Sequence, residues 1–153
     1  MAKEYYTTIA NAPRTLYITA RDDEIVRIST KKPLAIGVRR QDNLPILTEA
    51  SLQLTRYFDG KDTALTFPVP DNQPLFIRKV YASIAAVPYG ETRSVSHIAR
   101  MTGNERATES VRMLCRFTPL IVRIPVHRVI DVYESESADT FGAALRQLEQ
   151  RYC

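Results

Sequence analysis

The chain has 153 residues, 44% of them hydrophobic and 25% charged, which is enough for one domain or two very small ones with a real core. No apolar run approaches the roughly 20 residues of a membrane span, and the opening Met1-Ala2-Lys3-Glu4-Tyr5 is no export segment, so a cytoplasmic or nuclear protein with no membrane partner is expected. Two cysteines, Cys115 and Cys153, are too few for a disulfide framework, and with only two histidines beside them neither a metal site nor another cofactor is expected.

In chain order, Glu4 to Ala10, Arg14 to Ala20 and Glu24 to Thr30 are short runs rich in Tyr, Thr, Ile and Val. Turn residues at hairpin spacing separate them, which predicts an antiparallel three-stranded meander. Lys31 to Asn43 is polar, punctuated by Pro33 and Gly37, and reads as a loop or a short extra strand. From Pro45 the period becomes helical through Leu47, Leu54 and Phe58, with Gly60 placed as the stop. Leu65 to Asp71 has two prolines in three positions and reads as an extended linker. Phe76, Val80, Ile84 and Val87 then mark an amphipathic helix entered at Pro74 and closed by Pro88-Tyr89-Gly90. Ser94 can cap a short helix that stops at Gly103, and Asn104 can cap another running to Phe117. Two helices joined by a glycine-containing turn make a helix-turn-helix, whose second member faces DNA in proteins that use the motif. Val111, Leu114, Cys115 and Thr118 form the inner stripe of that second helix, leaving Arg106, Glu109, Arg112, Met113 and Arg116 outward.

Charge follows the same division. Residues 74–130 carry nine basic side chains against three acidic ones, the first 73 residues ten against nine, and the last 23 two against five. A polyanionic partner fits the basic segment, although a solvated arginine-rich surface has the same composition. The segment ends with an apolar run, Leu120 to Ile124, read as a buried strand, and a proline-limited turn that sets His127 beside Arg128.

Phe76-Ile77-Arg78-Lys79-Val80-Tyr81, Val87-Pro88-Tyr89-Gly90-Glu91-Thr92, Gly103-Asn104, Pro119 and Ile124-Pro125-Val126-His127-Arg128-Val129 occur in the order and near the spacing of known motifs. With Tyr57-Phe58-x-Gly60 and Phe67-Pro68 upstream, the chain resembles the O6-alkylguanine-DNA alkyltransferase family over roughly residues 1 to 150. That resemblance implies an α/β (α+β) chain: an RNase H-like N-terminal domain with its linker (1–73) and a winged-helix-like C-terminal domain (74–153). Family members bind the minor groove, flip the damaged base and take its alkyl group onto the cysteine of a P-C-H-R-V motif. Double-stranded DNA is therefore the implied partner, with a protein partner as a second possibility.

The departures are at functional positions. The acceptor cysteine aligns with Val126, whose isopropyl group cannot ionise or attack. The arginine that the family inserts into the duplex aligns with Glu109, the small residues of the groove-facing helix with Arg112 and Met113, and a phosphate-turning tyrosine with Val95. A pocket asparagine becomes Thr118, and the loop that closes over the base becomes Val132 to Thr140, shorter and acidic through Glu134, Glu136 and Asp139. His127 and Glu149 match the histidine and glutamate that, in the family, activate the cysteine through a water-mediated relay; with no nucleophile to activate, His127 reads as a buttress of the turn and Arg128 as a guanidinium pinning neighbouring backbone carbonyls. Arg93, Arg106, Glu109, Arg112, Met113, Arg116 and Arg128 are the candidate DNA-facing residues, and Val95, Cys115, Thr118 and Val126 the candidate pocket.

Three functions stay open. One is a non-catalytic DNA-binding relative, akin to the alkyltransferase-like proteins, which carry tryptophan in place of the cysteine. Another is an alkyl acceptor working through Cys115, and the third is a pseudoenzyme serving as a protein-interaction module, with the acidic loop as its surface.

Overall fold

A computed structural model of the chain describes residues 3–10, 12–133 and 140–153, and its contacts divide into two units, Met1–Pro70 and Asp71–Cys153.

In the first unit the meander forms from β1 (Glu4–Ile9), β2 (Leu16–Arg21) and β3 (Glu24–Ser29). Thr7 and Ile9 of β1 pair with Ile18 and Leu16 of β2, so their side chains share the core face. Ile25 and Ile28 of β3 are three residues apart, a spacing that would send them to opposite faces of a regular strand. A register shift at Thr19/Ala20 pairs Ile28 with Ile18 and Ile25 with Ala20, and both isoleucines become fully buried. The sheet is larger than the three expected strands. Val38–Arg40 adds β4, parallel to β1, giving the order β3-β2-β1-β4. Parallel pairing follows from the passage of residues 30–37 back across the sheet, with Gly37 in the left-handed region at φ 91°.

Helix α1 (Pro45–Phe58) starts with proline at its first position and ends where Gly60 adopts φ 74°. Leu47, Ala50, Leu54, Tyr57 and Phe58 form its buried stripe, packed on β1, β2 and β3. The 65–70 segment is extended, as two prolines require, but it belongs to this unit's core and does not act as a loose linker. The Ile25 amide donates to the Pro68 carbonyl (2.9 Å), Gln53 Oε1 accepts from the amides of Thr66 (2.7 Å) and Phe67 (3.2 Å), and Phe67 is fully buried.

The second unit begins with α2 (Leu75–Ala85), which buries Val80 and Ile84. Next comes the two-residue β5 (Arg93–Ser94), whose Ser94 hydroxyl accepts from the His97 amide and opens α3 (Val95–Thr102). Gly103, at φ 96°, ends α3. Asn104 caps a single 3₁₀ turn, Glu105–Ala107, and α4 (Thr108–Phe117) follows without a side-chain cap. The helix-turn-helix therefore carries one turn of tighter helix ahead of its second member, where sequence analysis expected one continuous helix from Asn104.

Leu120 to Ile124 differs from the expected strand. The Ile124 amide donates to the Leu120 carbonyl (2.9 Å) and the Arg123 amide to the Ile121 carbonyl (2.8 Å), folding the run into a tight turn. Val122 at its apex has φ 69°, a conformation costing a β-branched residue about 1–3 kcal/mol. Leu120, Val122 and Ile124 are all buried, and burial of this order, about 1.5–3 kcal/mol per aliphatic side chain, offsets the strain. The signature itself is a 3₁₀ turn, Val126–Arg128, leading into β6 (Val129–Ile130), which pairs parallel with β5. Helix α5 (Phe141–Tyr152), capped by Thr140, closes the unit and buries Leu145, Leu148 and Glu149. No helix is expected there from the sequence pattern.

Candidate functional site

The signature turn is held by one buried carboxylate. Glu149, on α5 and 1% exposed, accepts from Arg128 Nε (2.9 Å) and Nη2 (3.0 Å), a two-pronged guanidinium contact, and from the Gly90 amide (3.1 Å). Arg128 Nη1 donates to the Val87 carbonyl (3.0 Å), and its guanidinium lies over the Tyr89 ring at 5.5 Å. His127 Nε2 approaches the second Glu149 oxygen at 2.6 Å, while Arg146 Nη1 donates to the His127 carbonyl (3.1 Å). Three stretches far apart in sequence, 87–90, 127–128 and 146–149, thus meet at one charge.

The geometry of His127 and Glu149 meets the distance criterion for an ion pair, but burial pulls the imidazole below its ordinary value, outweighing the upward pull of Glu149 and aided by Arg128 and Arg146. We therefore describe a neutral imidazole. A carboxylate can only accept, so Nε2 is assigned as the N–H. Burial also raises the Tyr89 phenol, with Glu149 adding to the effect.

Val126 opens the turn and is half-buried; its amide donates to the Ile124 carbonyl (2.7 Å). Cys115 is buried on α4, and burial pushes its thiol up to about 12. Thr118 Oγ1 accepts from the Leu120 amide (3.3 Å), bracing the turn that carries Val122. The Val95 side chain is fully buried, and its amide donates to Asp131 Oδ1 (2.8 Å).

The candidate DNA-facing residues separate into two sets. Arg106 stands exposed at the start of the α4 region, and Met113 is 47% exposed. The other arginines are engaged within the unit. Arg93 meets Glu91 (3.0 Å) and the Thr92 carbonyl (2.8 Å). Arg112 pairs with the exposed Glu109 and reaches the Asp131 carbonyl (3.3 Å). Arg116 donates to the Val132 carbonyl (3.0 Å) and lies over Tyr133 at 5.0 Å. Arg128, counted with the outward cations from its sequence, is buried against Glu149 and presents no outward charge. The acidic positions Glu134, Glu136 and Asp139 lie outside the described residues.

Sequence reasoning missed Asp131 and Arg146. Asp131 adopts φ 59° and fastens the first turn of α3 with its side chain and Arg112 with its carbonyl. An aspartate in the left-handed region is a familiar turn device, yet nothing in its neighbours points to Val95, 36 positions upstream.

The ribonuclease-like domain of 6-O-methylguanine DNA methyltransferase matches residues 5–70, and the DNA binding domain of the same family matches residues 75–149. The chain belongs to this alkylguanine-DNA methyltransferase family. Among curated relatives, it is 30% identical over 132 residues to the constitutive methylated-DNA–protein-cysteine methyltransferase of Bacillus subtilis, spanning 82% of this chain and 80% of that one. The fold is similar to that of the O6-methylguanine methyltransferase of Mycobacterium tuberculosis, with a TM-score of 0.82 at 21% identity, covering 100% of this chain and 95% of the other. A structure of the Mycobacterium tuberculosis protein in complex with DNA matches with TM-score 0.82 at 23% identity, covering 97% and 94%. This alkyltransferase-family chain therefore has the mixed α/β architecture of its relatives, with an N-terminal sheet and a C-terminal helical domain.

Proposed function

We propose that this chain is a DNA-binding member of the family, related to alkylation repair, that does not itself accept the alkyl group. The observation that carries this reading is Val126: the side chain standing directly before the buried His127–Glu149 pair is an isopropyl group. Alkyl transfer from the O6 position of guanine needs a nucleophile that forms the new carbon–sulfur bond while the base leaves. A hydrocarbon cannot supply it. Cys115 does not replace it, because its buried thiol stays protonated far above neutral pH. The winged-helix-like second domain, taken as residues 74–153 behind a first domain of 1–73, supplies the helix-turn-helix of α3 and α4, and an intracellular setting accords with a DNA partner.

The engaged arginines refine the binding expected. With Arg112 and Arg116 tied to the 131–132 backbone and Glu109 exposed on the same helix, affinity rests on a few phosphate contacts and discriminates lesions weakly. Fluorescence anisotropy with plain and O6-methylguanine duplexes at two salt concentrations tests this directly. The expected result is binding that weakens steeply with salt and differs little between duplexes, together with no methyl gain by intact-mass spectrometry. A stoichiometric methyl on Cys115 or Cys153 overturns the non-catalytic reading, and no binding at low salt overturns the DNA-binding one.

A further inference from the structure

Two outward arginines of α4 are held against the second unit by three consecutive residues. Arg112 and Arg116 are one helical turn apart and so lie on one side of the helix. Their Nε groups donate to the carbonyls of Asp131 (3.3 Å) and Val132 (3.0 Å), and the Arg116 guanidinium lies over the Tyr133 ring at 5.0 Å. Glu109 takes a second nitrogen of Arg112. The 131–133 segment is itself well fastened upstream. Strand β6 pairs with β5, the Asp131 carboxylate accepts from the Val95 amide (2.8 Å) at the start of α3, and Val132 is buried. Its hold on the arginines is the looser part, since the acceptors are neutral carbonyls and Tyr133 is 49% exposed. A phosphate offers a guanidinium two charged oxygens in matching geometry where each carbonyl offers one neutral oxygen.

We propose that the Asp131–Tyr133 segment is an internal competitor of the DNA backbone. It keeps Arg112 and Arg116 folded against the unit, and a duplex engages them only by exchanging these carbonyls for phosphates. The inference rests on the DNA-binding reading above and adds the regulation of that same surface. The strength of the hold then sets affinity, because a surface whose competent state is only partly populated binds more weakly by that fraction. A static account, in which the carbonyls aim the arginines at phosphate, predicts the opposite sign: loosening the hold would weaken binding. Arg112 favours competition, because two of its three guanidinium nitrogens are already engaged and its side chain is 22% exposed.

Two variants loosen the hold by different routes. Tyr133→Ala removes the ring beneath Arg116 from a half-exposed position. Asp131→Gly accepts the φ of 59° and removes the link to Val95. The probe is a short, fluorescein-labelled, unmodified duplex titrated with the full chain and followed by anisotropy at about 50 and about 200 mM salt. The variant carrying both changes should bind roughly tenfold tighter at the lower salt, with a log–log salt slope steeper by about 0.9 for each arginine released, so that the gain is nearly gone at the higher salt. Tyr133→Ala alone should show part of this gain, which keeps the test intact if Asp131→Gly disturbs folding. Adding Arg112→Gln and Arg116→Gln to the Tyr133→Ala chain should abolish the gain. Wild-type binding with equal or weaker binding by Tyr133→Ala would overturn the inference and leave the DNA-binding reading standing. A silent wild type beside loosened variants that bind would overturn that reading and support the inference, and no binding by any of them would overturn both.

Discussion

Replacing Glu149 by glutamine keeps its volume and removes its charge, and it addresses the most connected side chain of the second unit. The carboxylate receives four contacts between 2.6 and 3.1 Å, from Gly90, His127 and twice from Arg128. Glutamine offers one acceptor oxygen where there were two, and its NH₂ group would point a donor at a donor. More costly still, the Arg128 guanidinium stays buried without a counter-charge. Removing one partner of a buried pair costs about 3–5 kcal/mol, a large share of the roughly 5–15 kcal/mol that holds a protein folded. In urea, with a slope of about 2 kcal/mol per molar, the midpoint should fall by roughly 2 M. Arg128→Met alone should also destabilise, whereas the double variant should lose less than the two single losses added, because neither buried charge is then left alone. Urea titrations followed by circular dichroism measure all three. A loss below about 1 kcal/mol for Glu149→Gln would refute the view that this buried carboxylate is a structural keystone of the second unit.

Burial of His127 predicts a pH dependence. Its pKa is lower folded than unfolded, so the unfolded chain takes up a proton that the native state refuses. Stability should be intact above about pH 6.5 and fall as pH drops below it, by at most about 1.4 kcal/mol per pH unit for one group; a midpoint that falls equally in His127→Gln would contradict this. Iodoacetamide should label the exposed Cys153 in the native protein and reach Cys115 only after unfolding, since at neutral pH a thiol at about 12 is thiolate in roughly one molecule in 10⁵; equal labelling rates by mass spectrometry would argue against a buried thiol. Val126→Cys should not restore efficient demethylation of O6-methylguanine DNA, because catalysis needs the base positioned as well as the sulfur present. Rapid single-turnover transfer by that variant would mean that Glu109 and Val95 do not disable the site.

Where side-chain pattern and backbone agree, the sequence was enough. The meander, α1 with its stop at Gly60, and the Ser94 cap follow from alternation, helical period and turn chemistry within a few residues of one another. Where the deciding partner is distant, it was not. Arg39 and Arg40 in β4 look like loop residues because an edge strand exposes them, and their pairing with β1 spans over thirty positions. The 120–124 run has a strand's composition, yet burial of Leu120, Val122 and Ile124 around a tight turn prevails over local preference. Glu149 could be tied to His127 only through family resemblance, since nothing in its neighbours from Arg146 to Arg151 points to a histidine 22 positions upstream. Counting also overstates the free positive surface: Arg112, Arg116 and Arg128 are spent on backbone carbonyls and on Glu149.

The way residues 65–70 are fastened has a practical consequence for dissecting the protein. Through one amide oxygen and one strand edge, Gln53 and Ile25 clasp this stretch, and Phe67 plugs the core beneath it. A fragment cut short at residue 64 would leave an unplugged core and a strand edge with an unanswered donor, inviting aggregation. One ending at Pro70 keeps all of these. A protease should accordingly find its foothold at the exposed Asp71-Asn72, just past the clasp, and the fragment worth expressing ends there.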